Sequence, residues 1–248
     1  MNVIEHIMSH DSAKWINQKI EELPDCAKFR ASNSIRALNW ASRIYEIHLP
    51  IPANFCALHA SEEAVAAFIS CAKECGYGED AKIDIRNHRE KAVVSLLVEK
   101  IINFIQVYSP AIGYKEDTDS IAVRLKIDGE YKYRDAAIDI LHFNNEKQET
   151  VEDFYDALKQ SFGEIGNLKK AVLNGQQARN RIFYSDDKGY PSGFNDPIQS
   201  LERESQIALG LIWATIDMNR QKGTQVPLIA QALRTANLVI NELKKKKN

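Results

Sequence analysis

Stretches with an apolar residue at every third or fourth position dominate this chain, and most of them end at a proline, a glycine or a polar turn. That spacing is typical of amphipathic α-helices, because it places the apolar residues on one face. The pattern predicts helices over residues 11–23, 31–49, 53–75, 84–108, 151–184, 197–220 and 226–244. The sequence LPIP at 49–52 and the turn GYGED at 76–80 separate the second, third and fourth of these helices.

A different pattern covers residues 119–136. Apolar and polar residues alternate from 121 to 127, and Asp128-Gly129 follows, which is a favoured two-residue hairpin turn. The alternation predicts a β-hairpin, which is marginally stable alone and is therefore expected to pack on the helices or on a partner. The predicted fold class is mainly α, an antiparallel helical bundle with a small β-hairpin insert, in a single domain over 1–248.

Composition and net charge limit the classes of function that fit this chain, in particular nucleic-acid binding and membrane association. The chain has 248 residues, of which 44% are hydrophobic and 27% charged, and its net charge is -2. It is therefore no polycation, and nucleic-acid binding would need a local basic patch. No apolar run is long enough to span a bilayer, and the N-terminus has no signal-peptide pattern, so we expect a cytoplasmic protein without a membrane partner.

The four cysteines do not suggest a metal centre. Cys71 and Cys75 lie four residues apart on a predicted helix, and the chain contains no CxxC pair. We expect reduced, packed thiols, and we expect neither a metal nor another cofactor.

Three segments resemble a known family. They are the stretch from SIRALNW to SCAKE, with Ala60-Ser61-Glu62-Glu63 within it, the sequence RNHREKA at 86–92, and the sequence RNRIFYSDDKGYP at 179–191. Their order and spacing are similar to those of the AbiV abortive-infection group within the HEPN superfamily. This resemblance implies a helical bundle that forms a homodimer and that works as a metal-independent ribonuclease.

The resemblance also implies a site. The HEPN signature is an arginine, often followed by asparagine, and then a histidine after four to six intervening residues. Here Arg179 and Asn180 occupy similar positions, but Tyr184 replaces the histidine. A tyrosine is a poor base at neutral pH, although it can donate a proton or orient a phosphate. His88 could supply the missing imidazole from another helix.

Metal-free RNA cleavage needs a base for the 2′-hydroxyl, an acid for the leaving oxygen and a cation for the phosphorane. The predicted catalytic residues are Arg179, Tyr184 and His88. Glu62 and Glu63 are expected to pair with His88, Lys91 or Arg179, because carboxylates in an apolar helix are costly to bury alone. The predicted RNA and phosphate ligands are Arg86, Lys91, Asn180 and Arg181.

The same residues also fit plainer structural roles. Arg179 could pair with Asp186 or Asp187 at a helix end, and the charges around His88 could form a solvated helix face. Arg43 and His48 match the arginine–histidine spacing as well, but they lack the following asparagine and lie in a different part of the chain.

Two functions follow as expectations. The first is an antiphage effector, a HEPN-type RNA-targeting toxin that cleaves or binds RNA and arrests translation. Its partners would be RNA, a second copy of the chain, and a phage-encoded activator or an antitoxin protein. The alternative is a catalytically degenerate HEPN module that binds a protein partner and serves as a sensor or antitoxin-like subunit. A plain helical scaffold is a third interpretation.

Overall fold

Helices account for most of the residues that the structure describes. The computed structural model describes residues 2–106, 111–116, 118–127, 129–135, 138, 141–163, 165–183 and 196–245. The α-helices are α1 (Val3–Ser9), α2 (Asp11–Lys19), α3 (Asp25–Glu46), α4 (Pro50–Glu74), α5 (His88–Gln106), α6 (Tyr155–Ser161), α7 (Ile165–Phe183), α8 (Pro197–Arg220) and α9 (Pro227–Lys244). Between α5 and α6 lie the strands β1 (Ala111–Lys115), β2 (Ser120–Ile127) and β3 (Glu130–Asp135). The mainly helical fold class is confirmed.

Helix α4 packs against α3 along most of its length. The Ser34 hydroxyl donates to the carbonyl of Ala60 at 2.8 Å, and Cys26 Sγ lies 3.9 Å from the carbonyl of Ser70. The two helices are therefore antiparallel. Small buried residues let the helix backbones approach closely. On α4 these are Ala53, Ala57, Ala60, Ala64 and Ala67.

Helix α8 packs on another face of α4. Ser61 contacts Glu204, and Cys71 Sγ lies 3.8 Å from the carbonyl of Thr215, so the partners are separated by 143 and 144 positions. This constant offset shows that α4 and α8 are parallel. The prediction of one domain over 1–248 stays a prediction.

Several helix boundaries differ from the sequence prediction: α3 begins at Asp25 rather than at residue 31, α5 begins at His88 rather than at residue 84, and α1 was not predicted. Helix α4 begins at Pro50, inside the LPIP sequence that was expected to be a break. Proline is tolerated there because the first-turn N–H groups of a helix have no intrahelical partner. The predicted helix over 151–184 is divided into α6 and α7, and Gly163 between them has a φ of 72°. Glycine adopts this left-handed conformation readily, so the chain turns there.

The insert contains three strands rather than the predicted two. Strand β2 lies in the middle and pairs antiparallel with β1 and with β3. The turn between β2 and β3 contains Gly129 with a φ of 83°, which agrees with the predicted turn at Asp128-Gly129, although Asp128 itself lies outside the described residues. The short β1 segment carries no clear alternation, which is why the sequence pattern misses it.

Asp119, in the turn between β1 and β2, attaches the sheet to the helices. Its carboxylate accepts hydrogen bonds from the Trp15 indole at 3.0 Å and from the Lys19 ammonium at 2.6 Å. Glu22 joins the same group by pairing with Lys19 at 3.0 Å and with Arg220 at 3.1 Å. The sheet therefore packs on the helical body, as its marginal independent stability requires.

Helix α7 contacts both helices that carry the predicted site residues, α4 and α5. Phe162, just before α7, has the Lys100 ammonium of α5 at 4.6 Å from its ring centroid. The segment that leads into α7 therefore lies beside the second half of α5.

Among the described helices, α4 is long and apolar enough to cross a membrane by length and composition alone. However, 67% of its apolar window is buried inside the protein, which is the situation of a core helix. The buried thiols of Cys71 and Cys75 lie on the same helix, are both free, and are 3.8 Å apart.

Candidate functional site

Glu62 on α4 joins the two predicted site residues of α5. Its Oε1 lies 2.9 Å from His88 Nδ1, and its Oε2 accepts a hydrogen bond from Lys91 Nζ at 2.9 Å. His88 and Lys91 reach the same carboxylate because residues three apart share one face of a helix. We call Glu62, His88 and Lys91 the Glu62 cluster. The predicted pairing of Glu62 with His88 and Lys91 is present.

The members of this cluster differ in exposure. The side chain of Lys91 is 7% exposed, that of Glu62 14% and that of His88 44%. Burial by itself would raise the pKa of Glu62, but the charge and hydrogen bond of Lys91 and the hydrogen bond from His88 hold that pKa below its usual value. The carboxylate therefore stays ionised at neutral pH and fixes the orientation of a half-exposed imidazole.

The start of α5 is fixed by residues that the sequence analysis did not select. Asn87 Oδ1 accepts from the backbone N–H of Arg89 at 3.0 Å, and Glu90 Oε2 accepts from the backbone N–H of Asp84 at 2.8 Å. Lys244 pairs with the other Glu90 oxygen at 2.9 Å. The sequence signal for this arrangement is the Asn-x-x-Glu spacing at a helix start. These contacts hold His88, the first residue of α5, in place.

The basic residues around His88 are arranged differently from the prediction. Because α5 begins at His88 rather than at residue 84, Arg86 lies before the helix and does not share a helical face with Arg89. Arg86 is exposed and its backbone N–H donates to the Asp84 carboxylate. The ammonium of Lys91 is engaged with Glu62 and buried, so Lys91 holds the carboxylate rather than facing solvent.

Glu63 does not join the cluster. Glu63 is partly exposed, and its side chain forms no hydrogen bond or ion pair with any residue in the described ranges. His59, one turn before Glu62, lies against α3 instead. Its Nε2 is 3.4 Å from Asn33 Nδ2, and its ring stacks parallel to Phe55 with centroids 6.5 Å apart.

The structure describes only the backbone of the arginine motif. Arg179, Asn180 and Arg181 lie in the last two turns of α7, and their side chains fall outside the described part of the chain. Tyr184 lies outside the described residues. What the fold provides is the contact of α7 with α4 and α5, the two helices that carry Glu62 and His88.

The second site-like motif, Arg43 with His48, does not form a helical pair. Helix α3 ends at Glu46, and His48 follows it with a φ of 60°. The two side chains therefore do not have the angular separation that a continuous helix would give them.

A second carboxylate lies directly behind the Glu62 cluster. Glu204 on α8 is buried, and it accepts from the Ser61 hydroxyl at 2.6 Å and from Arg203 Nε at 3.1 Å. Burial would lower the pKa of Arg203, but the adjacent Glu204 charge raises it. The sequence signal was available, since Glu204 is an acid on the apolar face of α8 with Leu201 and Ala208.

The Glu62 cluster has the composition of a proton-transfer site. A carboxylate that orients an imidazole is a common arrangement for a general base, and a histidine can also return the proton as an acid. Within the described ranges, no three His, Cys, Asp or Glu residues are placed to hold a metal ion. The buried ammonium of Lys91 at Glu62 would also oppose a cation there.

Comparison with known proteins adds no relative. No family model, curated protein or solved structure matches this chain.

Proposed function

We propose that this protein binds RNA and cleaves it without a metal ion, with His88 transferring protons and Arg179 contacting the scissile phosphate. The observation that carries the proposal is the Glu62 cluster, in which an ionised carboxylate orients a half-exposed imidazole at the start of a helix. The contact of α7 with both α4 and α5 supports a place for Arg179 near this imidazole.

The reaction is a transesterification within the RNA. His88 accepts the proton of a 2′-hydroxyl, the 2′-oxygen attacks the adjacent phosphorus, and the bond from phosphorus to the 5′-oxygen breaks. An acid protonates the departing oxygen, so the products carry a 2′,3′-cyclic phosphate and a 5′-hydroxyl. Arg179 would stabilise the charge of the phosphorane, since a guanidinium binds two phosphate oxygens at once. Tyr184 remains the proposed acid or phosphate-orienting group.

The test is incubation of the purified chain with total RNA in the presence of a chelator, followed by analysis of product ends. We expect cyclic-phosphate ends from the unmodified chain, and a loss of at least about 100-fold in rate for His88→Ala and for Arg179→Ala. His142→Ala is the matched control, because it removes an exposed imidazole elsewhere in the chain. Equal rates in the His88 and His142 variants would refute the proposed mechanism.

The second candidate is a non-catalytic module of the same superfamily. The observation that favours it is Tyr184, which stands where the resemblance implies a histidine. In this case RNA stays intact in the assay above, and the chain acts by binding a partner protein. Growth arrest by both the unmodified chain and His88→Ala would support this alternative.

The cellular role we propose rests on the resemblance to the abortive-infection group. An RNA-cleaving effector that arrests translation would limit phage replication. It would need either an antitoxin that inhibits it in healthy cells or a phage-encoded activator that switches it on during infection. Induced expression should arrest growth, and His88→Ala should relieve that arrest. A phage plating assay with both chains then tests the defence role separately from the chemistry.

A further inference from the structure

One face of α3 carries an unusual set of side chains. It consists of residues spaced alternately four and three apart, which a helical period of 3.6 places within one narrow arc. At 1.5 Å per residue they extend over ~27 Å. We call this set the α3 stripe; its members are Phe29, Asn33, Arg36, Trp40, Arg43 and Ile47.

The α3 stripe faces solvent. Phe29 is 67% exposed, Trp40 45% and Ile47 65%, although large apolar residues at helical spacing normally point into a core. Five of the six members are exposed and only Asn33 is partly buried. A contiguous exposed row that contains two aromatic rings and an isoleucine marks an interaction surface.

The stripe is basic and contains no acid. Neither Arg36 nor Arg43 forms an ion pair with a residue that the structure describes. Glu46, the acidic residue beside the stripe, accepts a hydrogen bond from Asn2 instead. Arg36 lies over the Trp40 ring, with its guanidinium carbon 5.1 Å from the ring centroid. Cations next to open aromatic faces are the elements of a single-strand nucleic-acid surface, where phosphates pair with the cations and bases stack on the rings.

The stripe meets α4 one helical turn before Glu62. Arg36 donates to Asn33 Oδ1, and Asn33 Nδ2 lies 3.4 Å from His59 Nε2 on α4. His59 is one helical turn before Glu62, which contacts His88. The stripe therefore approaches α4 close to the level of the Glu62 cluster.

Charge also decides between RNA and a second copy of the chain. The 4-3 spacing is that of a coiled-coil seam, but pairing two copies of this stripe would bring four arginines and no acid into one contact. Like charges across such a contact disfavour self-association. A polyanion, in contrast, neutralises both arginines and leaves Trp40 and Phe29 available for stacking.

We infer that the α3 stripe binds a single-stranded RNA segment and guides it to the Glu62 cluster. This inference rests on the proposed function for its physiological ligand, but binding at the stripe is measurable without cleavage. Phosphates contact Arg36 and Arg43, and unpaired bases stack on Trp40 and Phe29.

The experiment measures fluorescence anisotropy of a labelled oligouridine of roughly 20 nucleotides, which is long enough to cover the ~27 Å stripe. All chains carry His88→Ala so that the RNA stays intact. The pair of changes Arg36→Ala and Arg43→Ala should weaken binding at least tenfold and should reduce the slope of log affinity against log salt by about 1.4, or ~0.7 per phosphate contact. Trp40→Leu should weaken binding about tenfold while keeping an apolar side chain.

The matched control removes two cations outside the stripe. The pair Arg30→Ala and Lys73→Ala causes the same loss of charge, with Arg30 about 100° from Phe29 around α3 and Lys73 exposed at the end of α4. It should change affinity by less than about threefold, because only contacts to phosphate release counterions strongly. Equal losses in the two double variants, or no oligouridine binding by any chain, would overturn the inference.

Two further outcomes separate this inference from the proposed function. Cleavage by the chain with native His88 that is unaffected by the Arg36 and Arg43 changes, at subsaturating RNA, overturns the stripe and leaves the catalytic proposal standing. RNA binding that depends on the stripe but is not followed by cleavage supports the stripe and overturns the catalytic proposal. A dimer that sedimentation velocity shows to dissociate on Trp40→Leu, with unchanged RNA affinity, would make the stripe a contact between copies and overturn the inference.

Discussion

Two adjacent residues of α4, Ser61 and Glu62, belong to two different carboxylate clusters. Ser61 points to Glu204 on α8, and Glu62 receives His88 and Lys91 from α5. Successive helical residues differ by about 100° in direction, so one faces the interior and the other faces the edge of the bundle. The clusters lie at nearly the same level of α4, and in each a carboxylate has one buried and one partly exposed donor. They differ in the chemistry of those donors, which are a hydroxyl and a guanidinium at Glu204 but an imidazole and an ammonium at Glu62.

The Glu204 cluster consists of Ser61, Arg203 and Glu204. The carboxylate is only 3% exposed and has a donor on each oxygen, a hydroxyl on one and a guanidinium on the other. Neither donor changes its protonation near neutral pH, since Arg remains charged and Ser remains neutral. This cluster can therefore hold α4 against α8, but it has no means of transferring a proton.

The Glu62 cluster has one buried and one exposed donor. Lys91 is buried and compensates the charge of Glu62, while His88 is about as exposed as Arg203 in the other cluster, 44% against 41%. An imidazole changes its protonation near neutral pH. A carboxylate whose charge is compensated by a buried cation on one oxygen can therefore use its other oxygen to hold an imidazole at the surface.

The largest expected effect is on stability, at the interior cluster. Glu204→Ala removes the acceptor of Ser61 and leaves Arg203 with an uncompensated charge in a partly buried position. Urea unfolding should show a loss of about 2–3 kcal/mol in the free energy of unfolding. The cleavage rate of the folded protein should be almost unchanged, because no member of this cluster takes part in the proposed reaction.

Glu202 supplies the control for this prediction. It lies on the same helix, is exposed, and accepts only from Gln206 at 3.2 Å. Glu202→Ala should change the free energy of unfolding by less than about 0.5 kcal/mol. If both variants lose the same stability, the interior cluster has no special structural role and the comparison fails.

An intermediate effect is expected at the outer cluster. Glu62→Gln keeps the shape of the side chain but removes the charge that compensates Lys91, so unfolding should become easier by about 1–2 kcal/mol. The amide keeps one acceptor oxygen where the carboxylate has two, so His88 and Lys91 can no longer both be held, and RNA cleavage should slow by roughly tenfold to a hundredfold. Both losses should occur together, which distinguishes this cluster from Glu204.

The neighbouring acid offers a matched comparison. Glu63 is chemically identical and has no partner among the described residues. Glu63→Gln should leave both the free energy of unfolding and the cleavage rate within experimental error of the unmodified chain. Loss of cleavage in this variant as large as in Glu62→Gln would show that general acidity of α4, rather than the contact with His88, supports the reaction.

Sequence periodicity predicted the helices well where both ends carry local signals. Helices α8 and α9 were predicted over 197–220 and 226–244 and are observed at Pro197–Arg220 and Pro227–Lys244. Each begins at a proline and ends in polar residues. The start of α4 was misplaced because a proline reads equally as a break and as a first helical residue, and tertiary contacts decide between them.

The candidate site was less predictable. Glu62, His88 and Lys91 were selected from the chain, but their mutual contact depends on how α5 crosses α4, which periodicity does not encode. Glu204 is visible in the sequence as an acid on an apolar face, but one of its two donors is not, because Ser61 reaches it from α4 while Arg203 is its own chain neighbour. The contact from α4 is a property of the packed bundle and is absent from the local pattern.

The smallest expected effect is a dependence of fold stability on pH. Measuring it shows whether Lys91 holds the Glu62 carboxylate ionised. The folded pKa of Glu62 is lowered from its usual value of 4.5. A group with a lowered pKa stabilises the fold above its unfolded pKa, and this contribution is lost as the pH falls through the folded pKa. A glutamine side chain does not titrate. In acid, where Glu62 is protonated and uncharged, the stability of the unmodified chain should therefore approach that of the Glu62→Gln variant.

We therefore compare the stability of two chains, one with native Glu62 and one with Glu62→Gln, both carrying His88→Ala so that Lys91 is the partner of residue 62 in each. Their difference should be constant from about pH 7 to about pH 5 and should decrease below about pH 4.5. Urea unfolding followed by circular dichroism at each pH measures it. Glu63→Gln in the same background should give a difference near zero throughout. A difference that grows as the pH falls would mean that burial, rather than the Lys91 charge, dominates at Glu62, and the outer cluster would then lack the ionised carboxylate that orients His88.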